Sequence, residues 1–223
     1  MRAALHLEDW RAWSANSMSC AGDSRHDISA CPNPGKLPAL LRRRLDSAGR
    51  ATCEILGALD PEANCPLVHA SRHGDATHTL EMLAALTRGD PVSPTRFSMS
   101  VHNAVLGVHS IATRHYLPMQ ALGACGHEFE ALLYEAQGYL MEGHSAVVVV
   151  FSEGSLPPAY HGHAESPDGP CAVGLRLTAG PGTALMASDT PRPAHPTPLD
   201  VVAWLNSAVP HLDGQRRWQL EAG

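Results

Sequence analysis

Several features that would point to particular classes of protein are missing from this sequence. No apolar run approaches the ~20 residues that a membrane-spanning helix needs, and Glu8 and Asp9 stand where a signal peptide would be apolar. Its 16 basic residues are outnumbered by 22 acidic ones, and the resulting net charge of -6 disfavours nucleic acid or an anionic membrane as the main partner. We therefore expect a cytoplasmic protein with no nucleic-acid partner and no membrane span.

Cysteine and histidine patterns typical of metal sites are also missing. The six cysteines form no CxxC pair and have no regular spacing, so neither a zinc ribbon nor a disulfide framework is indicated, and we expect reduced thiols. His69, His73 and His78 lie close together, and His161 and His163 flank a glycine, but neither group has the spacing of a zinc motif such as HExxH. We predict no metal and no cofactor, and a metal-dependent hydrolase ranks last among the functional hypotheses.

The chain is long and apolar enough to build a core of its own. Its 223 residues are 44% hydrophobic, which suffices for a core without disulfides or metal. Helical and strand patterns alternate, and this order predicts an α/β fold with a layered sheet and helices on both faces. We divide the chain into an N-terminal segment with an irregular loop (1–45), a central unit (46–188) and a linker with a C-terminal helix (189–223).

Three helices are predicted outside the middle of the chain, over residues 46–59, 75–86 and 199–209. Asp46 is the predicted N-cap of the first, and Gly89 ends the second. Apolar residues recur in each at the spacing of a helix with one buried face. The side chains expected to face the core are Ala48, Ala51, Ile55, Leu56, Leu59, Leu80, Leu83, Leu86, Val202, Trp204 and Leu205.

Strand and loop signals complete the pattern outside the middle of the chain. Residues 66–71 predict a strand. Residues 172–178 and 183–187 predict two strands joined as a hairpin by the Gly-Pro-Gly run at 180–182. Residues 20–38 are rich in proline and glycine, and therefore predict an irregular loop.

Residues 93–154 carry the most information, because they predict the order helix, strand, turn, helix, strand. Gly123 and Gly126 permit a sharp reversal of the backbone before the second helix. Residues 147–151 are five consecutive apolar residues, typical of a strand covered on both faces. The second helix, over residues 126–141, has its apolar positions at i, i+3, i+4, i+7 and i+11, namely Phe129, Leu132, Leu133, Ala136 and Leu140.

This layout resembles the nucleophile elbow of ketosynthases. The matching residues span most of the chain: Trp10, Trp13, Arg43, Arg44, Arg50, Ala70-Ser71-Arg72-His73-Gly74-Asp75, Ser93-Pro94-Thr95, Phe97-Ser98, Ser100-Val101-His102-Asn103-Ala104, Gly107, Ser110-Ile111, Gly126-His127-Glu128, Gly143, Cys171 and Leu175-Arg176-Leu177. On these residues the chain resembles half of the thiolase-like fold, a mixed sheet with helices on both faces. More narrowly, it resembles the β-ketoacyl synthase N-terminal domain family, which includes chain-length-factor-like subunits of aryl polyene biosynthesis.

The resemblance leaves two positions for the residue at the elbow. A ketosynthase places a cysteine there, where the helix N-terminus lowers the thiol pKa and offers backbone N–H groups to the oxyanion. Counting back from Gly143 with ketosynthase spacing lands on Gly126, whereas a one-residue gap would place Cys125 there. We favour Gly126 and assign no catalytic residue, with Cys125 as the alternative nucleophile. His127 and Glu128 follow, and Glu128 suits the positive end of the helix dipole.

His102 and Asn103 are the other candidate pocket residues. They lie within the apolar segment 101–111, so we expect a buried polar pair that needs hydrogen-bond partners. The pair either holds the start of the helix or contacts substrate.

The resemblance also implies partners. A ketosynthase takes its catalytic histidines from the C-terminal half of the fold, and this chain is only about half the size of the two-halved fold. We therefore expect a catalytic β-ketoacyl synthase subunit as partner, and an acyl carrier protein through that complex. In related dimers the strand before the elbow pairs across the two-fold axis, and here that strand is Leu117, Pro118, Met119, Gln120, Ala121 and Leu122.

The one dense basic cluster consists of Arg42, Arg43, Arg44 and Arg50. Because acyl carrier proteins are acidic, this cluster is a candidate docking site for one. A solvated surface is the alternative interpretation.

Two functional hypotheses follow. The first is a non-catalytic, chain-length-factor-like subunit that forms a heterodimer with a β-ketoacyl synthase and limits the length of carrier-bound aryl polyene or polyketide chains. The second is a stand-alone acyltransferase or thioesterase that uses Cys125 as nucleophile with His127 or His102 as its base. Replacing Cys125 by alanine leaves the complex active under the first hypothesis and abolishes turnover under the second.

Overall fold

The computed structural model describes residues 4–16, 23–35, 37–190 and 192–221. These ranges contain seven α-helices: α1 (Ala39–Arg42), α2 (Ser47–Leu59), α3 (Ala76–Thr87), α4 (Pro94–Met99), α5 (Ala104–Thr113), α6 (Glu128–Met141) and α7 (Pro198–Leu205). They also contain nine strands: β1 (His6–Ser14), β2 (His26–Ile28), β3 (Leu67–Ala70), β4 (Met119–Leu122), β5 (Ala146–Glu153), β6 (Cys171–Thr178), β7 (Thr183–Asp189), β8 (Leu212–Asp213) and β9 (Arg216–Leu220).

The strands form one mixed sheet in the order β4-β3-β5-β6-β1-β7-β9-β8. β3 lies between β4 and β5 and runs parallel to both. β6 runs antiparallel to β5 and to β1 on its other side. The second edge of β1 is shared, because β7 pairs with residues 6–7 and β2 with residues 12–14. Within the described part of the chain, the sheet therefore ends at β4 on one side.

Helices cover both faces of the sheet. Alternate side chains of a strand point to opposite faces, so one strand packs against helices on each side. Val147, Val149 and Phe151 of β5 pack with α6 and α7, whereas Val148 and Val150 pack with α2 and α5. Every residue of β5 is buried, as expected for a strand covered on both faces. The predicted α/β layered sheet is confirmed.

Three of the predicted helices bury the stripes expected of them. The Asp46 side chain caps α2 by accepting from the Gly49 N–H at 2.7 Å, as predicted. α7 ends at Leu205, four residues earlier than predicted, and begins with a capping box formed by Thr197 and Asp200. The predicted core residues that are buried in these helices are Ala48, Ala51, Ile55, Leu56, Leu59, Phe129, Leu132, Leu133, Ala136, Leu140, Val202, Trp204 and Leu205.

The predicted hairpin of residues 172–178 and 183–187 is wrong. Both strands exist, as β6 and β7, but β1 lies between them and pairs with each. Their connection passes close to the start of β1, where a Cβ on Gly182 would come within 2.6 Å of the Leu7 carbonyl carbon. The Gly-Pro-Gly run predicted the turn correctly, but not that a strand from the start of the chain inserts beside it.

The inward-facing stripe predicted over residues 75–86 is also wrong. α3 forms at this position, but none of its residues is buried. Leu83 is 50% exposed and Leu86 is 58% exposed. α3 packs mainly on α4, which has no buried residue either. Helical spacing identifies an apolar stripe, but it does not say what covers that stripe.

The irregular loop predicted over residues 20–38 contains a strand in its described part. Residues 20–22 and 36 lie outside the described ranges. β2 runs parallel to β1, and its His26 Nε2 lies 3.0 Å from the buried Ser14 hydroxyl. The prediction was wrong for β2 because three residues are too few to show a strand pattern.

Candidate functional site

Three parallel strands end side by side and bring together the loops that follow them. β3 ends at Ala70, β4 at Leu122 and β5 at Glu153, and Ala70 pairs with Leu122. The carboxyl ends of parallel strands are the usual place for sites in α/β folds. Residues 71–75 and 123–127 therefore meet at the end of β5.

The β4–α6 turn (residues 123–127) has the strand–turn–helix layout predicted from the sequence. Cys125 and Gly126 both have positive φ, 52° and 104° respectively, and only glycine adopts the second value without strain. Gly126 is buried and Cys125 is exposed. His127 is the N-cap of α6, but its side chain makes no capping hydrogen bond.

His195 fills the space beside Gly126. Its Nδ1 lies 3.1 Å from the Gly126 carbonyl oxygen, and its ring centroid lies 5.2 Å from that of His127. A Cβ added to Gly126 would overlap the imidazole, lying only 2.9 Å from its Cγ. The ring and the positive φ together leave no room for a side chain at position 126.

The Glu128 carboxylate binds the backbone N–H groups of the β4–α6 turn. It accepts from the Gly126 N–H at 2.9 Å and from the Ala124 N–H at 3.3 Å. Arg72, from the loop after β3, donates to the same carboxylate at 3.3 Å. Burial acts to raise the Glu128 pKa, but the backbone donors and the Arg72 charge outweigh burial and hold the pKa below its usual value. Glu128 is therefore ionised at neutral pH.

Glu153 fixes the loop after β3 to the end of β5. Its carboxylate accepts from the backbone N–H of Arg72 at 2.5 Å and of His73 at 3.4 Å, and from the Ser71 hydroxyl at 3.3 Å. Burial raises the Glu153 pKa, because the ionised form loses hydration. Arg72 is thus held by Glu153 through its backbone and by Glu128 through its guanidinium.

A second polar group lies at the same edge of the sheet, on the α2 face. His69 Nε2 lies 2.8 Å from the Ser152 hydroxyl, and burial lowers the His69 pKa to about 4. The His102 ring packs against Gly74 and Gly123, where an added Cβ would lie 3.2 Å and 3.4 Å from ring atoms. The cavity between these groups measures about 40 Å³. It has space for a few water molecules at most and none for an acyl chain.

The expectation of a buried pair at His102 and Asn103 is wrong. His102 is half-buried, and its Nε2 has no hydrogen-bond partner among the described residues. Asn103 is exposed and precedes α5 without a capping hydrogen bond from its side chain. The segment 101–111 is not one continuous helix, since α5 begins only at Ala104, and Asn103 lies at its solvent-facing start.

The strand predicted to pair with a partner lies at the edge of the sheet. β4 covers Met119–Leu122 and pairs with β3 on one side. Within the described residues no strand covers its other side. Pro118 and Met119 are exposed, whereas Leu117, Gln120, Ala121 and Leu122 are half-buried.

The predicted docking arginines lie around the short helix α1. Arg43 and Arg44 are exposed, and Arg42 and Arg50 are half-buried. Arg50 Nε donates to the Arg42 carbonyl oxygen at 3.0 Å, so Arg50 serves partly to hold the chain after α1. Arg44 also lines the cavity beside His102.

No group of three or more histidine, cysteine, aspartate or glutamate side chains in the described ranges could hold a metal ion. The five described cysteines, at positions 31, 53, 65, 125 and 171, are free thiols. None of the helices described is both long and apolar enough to cross a membrane.

Three residues at this edge have no role in the sequence predictions: His195, Arg72 and Glu153. His195 lies 69 residues from Gly126 in a proline-rich segment, so no local spacing connects the two. Arg72 belongs to a motif that carried the resemblance, but the motif does not reveal its carboxylate partner. Glu153 follows a run of buried apolar residues, and a carboxylate at such a position is rare unless it is paired. For Glu153, this position at the end of an apolar run is the signal that the sequence offers.

Comparison with known proteins places this chain in a family. The model of the family described as "Beta-ketoacyl synthase, N-terminal domain" matches residues 10–219. A search of curated proteins found no match. A structure of a ketosynthase (ApeO) in complex with its chain length factor (ApeC) from Xenorhabdus doucetiae contains a chain that is 26% identical, with a TM-score of 0.78. The similarity covers 96% of this chain and 98% of that chain.

Two more distant structures share the fold. The ishigamide ketosynthase/chain length factor matches with a TM-score of 0.54 at 13% identity, over 83% of this chain and 67% of that one. A β-ketoacyl synthase from Burkholderia phymatum STM815 matches with a TM-score of 0.58 at 12% identity, over 94% of this chain and 71% of that one. The fold is therefore the thiolase-like one.

Proposed function

We propose that this chain, which belongs to the beta-ketoacyl synthase N-terminal domain family, is a non-catalytic, chain-length-factor-like partner of a β-ketoacyl synthase. The observation that carries the proposal is the β4–α6 turn. His195 takes the space where a side chain at position 126 would lie, and Glu128 accepts from the Ala124 and Gly126 N–H groups of the turn. The similar structure from Xenorhabdus doucetiae is that of a ketosynthase with its chain length factor.

The charge at the turn opposes ketosynthase chemistry. A condensing enzyme needs free N–H donors to stabilise the oxyanion that forms when a thioester is attacked. Here the Gly126 N–H already donates to an ionised carboxylate. A second anion at this point would be repelled by Glu128 and would have to compete with it for the Gly126 and Ala124 N–H groups. In our proposal the partner's cysteine and histidines therefore carry out the decarboxylative condensation.

The edge of β4 is the proposed site of pairing with that partner. An open strand edge exposes unpaired N–H and C=O groups, which proteins normally cover. Pairing of β4 with a strand of the ketosynthase would satisfy them. The product we propose is an elongated carrier-bound chain, of the aryl polyene or another polyketide class, whose length this subunit limits.

Carrier docking is a further part of the proposal. Arg43 and Arg44 are exposed cations for which the described part of the chain shows no ion pair. An acidic acyl carrier protein would be attracted to them and held near the complex. Replacing both by glutamate should slow carrier-dependent elongation, and the effect should diminish as salt is added.

A stand-alone acyltransferase or thioesterase is the second candidate function. One observation favours it: Cys125 is an exposed thiol immediately before Gly126 and two residues before the N-cap of α6. It predicts that the isolated chain turns over acyl thioesters and that Cys125→Ala abolishes this activity.

The experiment that tests the proposal is co-expression with a β-ketoacyl synthase from the same organism. Size-exclusion chromatography with light scattering measures the stoichiometry, and a carrier-protein assay measures elongation with and without this chain. A one-to-one complex whose elongation requires this chain, in wild-type or Cys125→Ala form alike, is the expected result. Absence of a complex, with Cys125-dependent turnover by the isolated chain, would establish the second candidate instead.

A further inference from the structure

The helices α3 and α4 form an apolar arm (residues 76–99) that the other described residues cover only at its base, where Met99 packs against the core cluster around Leu45 and Val108. Neither helix has a buried residue. Leu83, Leu86 and Phe97 are 50%, 58% and 63% exposed. Single exposed apolar residues are ordinary, but three large ones on one helical pair mark an interaction surface.

The arm cannot be explained as a self-sufficient unit. Isolated helices shorter than about 15 residues are marginal in water, because packing of an apolar face supplies most helical stability in proteins. α3 packs mainly on α4, and α4 in turn on α5. The arm therefore needs a surface that covers its apolar side chains.

The charges of the arm favour an apolar protein surface as that cover. Arg96 pairs with Glu81 at 3.1 Å, and Arg88 pairs with Asp90 at 2.8 Å, so its cations are matched by its own carboxylates. A membrane-surface helix would instead carry an excess of lysine or arginine on its polar face. Nucleic acid is disfavoured for the same reason.

The arm begins and ends beside the edge strand of the sheet. His102, which follows the arm, packs against Gly74, which precedes it, and against Gly123, which follows β4. Both ends of the arm are thus fixed next to the end of β4. Met119 on β4 and Val101 at the base of the arm are also exposed. The unpaired strand edge and the apolar arm are therefore adjacent.

We infer that the arm docks on the catalytic ketosynthase subunit as a second contact beside the β4 edge, through Leu83, Leu86 and Phe97. This inference rests on the proposed function, which supplies the partner. The arm reaches the ketosynthase beyond the strand pairing, and its apolar side chains enter an apolar groove on that subunit.

The test compares two sets of surface substitutions in the full chain. The arm variant is Leu83→Ser/Leu86→Ser/Phe97→Ser, and the control is Met186→Ser on β7, which is 54% exposed at a distance from β4 in the sheet order. Isothermal titration calorimetry measures the affinity of each for the purified ketosynthase. We expect the arm variant to bind about 100-fold more weakly and the control to bind within about threefold of wild type.

Amide hydrogen exchange supplies a measurement that does not depend on variants. Residues 76–99 of the wild-type chain should exchange about tenfold more slowly in the complex, while β7 and β9 should be unchanged. Undiminished affinity of the arm variant, or unchanged exchange in the arm, would overturn the inference and leave the proposed function standing. Self-association lost in the arm variant, with ketosynthase binding intact, would assign the arm to a second copy of this chain. Failure of the wild-type chain to bind the ketosynthase would contradict the proposed function itself.

Discussion

The β4–α6 turn and the arm formed by α3 and α4 differ in how far contacts within this chain satisfy or cover their groups. At the β4–α6 turn, the Gly126 N–H and C=O are bound by Glu128 and His195, and Arg72 closes the cluster. In the arm, by contrast, no residue of α3 or α4 is buried. The polar groups of the turn thus find their partners within the chain, whereas the apolar side chains of the arm are not buried by it.

This difference is the reverse of what a self-contained enzyme would show. An active site keeps donors and space free for substrate, and its framework is otherwise packed. Here the β4–α6 turn, where an enzyme would keep space for substrate, is filled by His195 and Glu128. The helices α3 and α4, which would be packed in a self-contained protein, are exposed. This contrast supports the proposed role as a partner subunit.

The largest expected effect comes from placing a side chain in the closed turn. Gly126→Cys should destabilise the chain by about 4 kcal/mol, since the new Cβ meets the His195 ring and the φ of 104° is strained. Urea unfolding measures this loss. Gly138→Ala on α6, where an added Cβ meets no atom within 4 Å, is the matched control and should be neutral or slightly stabilising.

A double-mutant cycle identifies His195 as the cause. Gly126→Cys/His195→Ala should recover about half of the lost stability, because the clash disappears while the backbone strain remains. Purely additive effects of the two substitutions would show that His195 does not close the turn.

A core and an arm leucine should respond differently in the isolated chain. Leu133→Ala on α6 should cost about 3 kcal/mol, since this side chain is fully buried. Leu86→Ala in the arm should cost less than about 0.5 kcal/mol. Thermal and urea unfolding of both variants check this comparison. A large cost at Leu86 would mean that the arm is packed on its own chain in solution.

The charge at the turn should appear in the pH dependence of stability. The folded-state pKa of Glu128 lies below its unfolded value, roughly 4.3, so its stabilising contribution is present above that value and lost as the pH falls. As the pH falls from about 5 to about 3, through the unfolded pKa and towards the lower folded one, the wild type should lose more stability than Glu128→Gln, which has no charge to lose there. Glu153, whose pKa is raised, acts with the opposite sign, but it is common to both proteins. Identical pH profiles of the wild type and Glu128→Gln would show that the Glu128 charge does not stabilise the fold.

The smallest expected effect belongs to Cys125. Cys125→Ala should change the free energy of unfolding by less than about 0.5 kcal/mol, because the residue is exposed and both side chains adopt the φ of 52° equally poorly. The matched variant Cys125→Gly should be slightly more stable, since glycine removes that strain. A cost above 1 kcal/mol in either variant, read by urea unfolding, would indicate packing of the thiol that the structure does not show.

The sequence predicted those elements whose burial is decided locally. The stripes of α2 and α6 were predicted because helical periodicity and a buried sheet beside them agree. The stripe of α3 has the same periodicity, yet among the described residues Leu83 and Leu86 stay largely exposed. The hairpin prediction for β6 and β7 fails because a turn is a local signal, whereas the insertion of β1 depends on a contact about 165 residues away.

The site was predictable in part for the same reason. Glu128 was expected to face the positive end of α6, and it accepts from N–H groups there. The closure of the turn by His195 depends on a contact across 69 residues, and the pairing of Arg72 with Glu128 on one across 56. Such distant contacts are set by the assembled sheet rather than by any local pattern.

The most direct test of the central claim is an elongation assay in which the nucleophile is removed from one subunit at a time. The account predicts that the complex elongates carrier-bound chains when this chain carries Cys125→Ala, and that elongation stops when the ketosynthase loses its reactive cysteine. Elongation that persists without the ketosynthase cysteine, and stops with Cys125→Ala, would contradict the account.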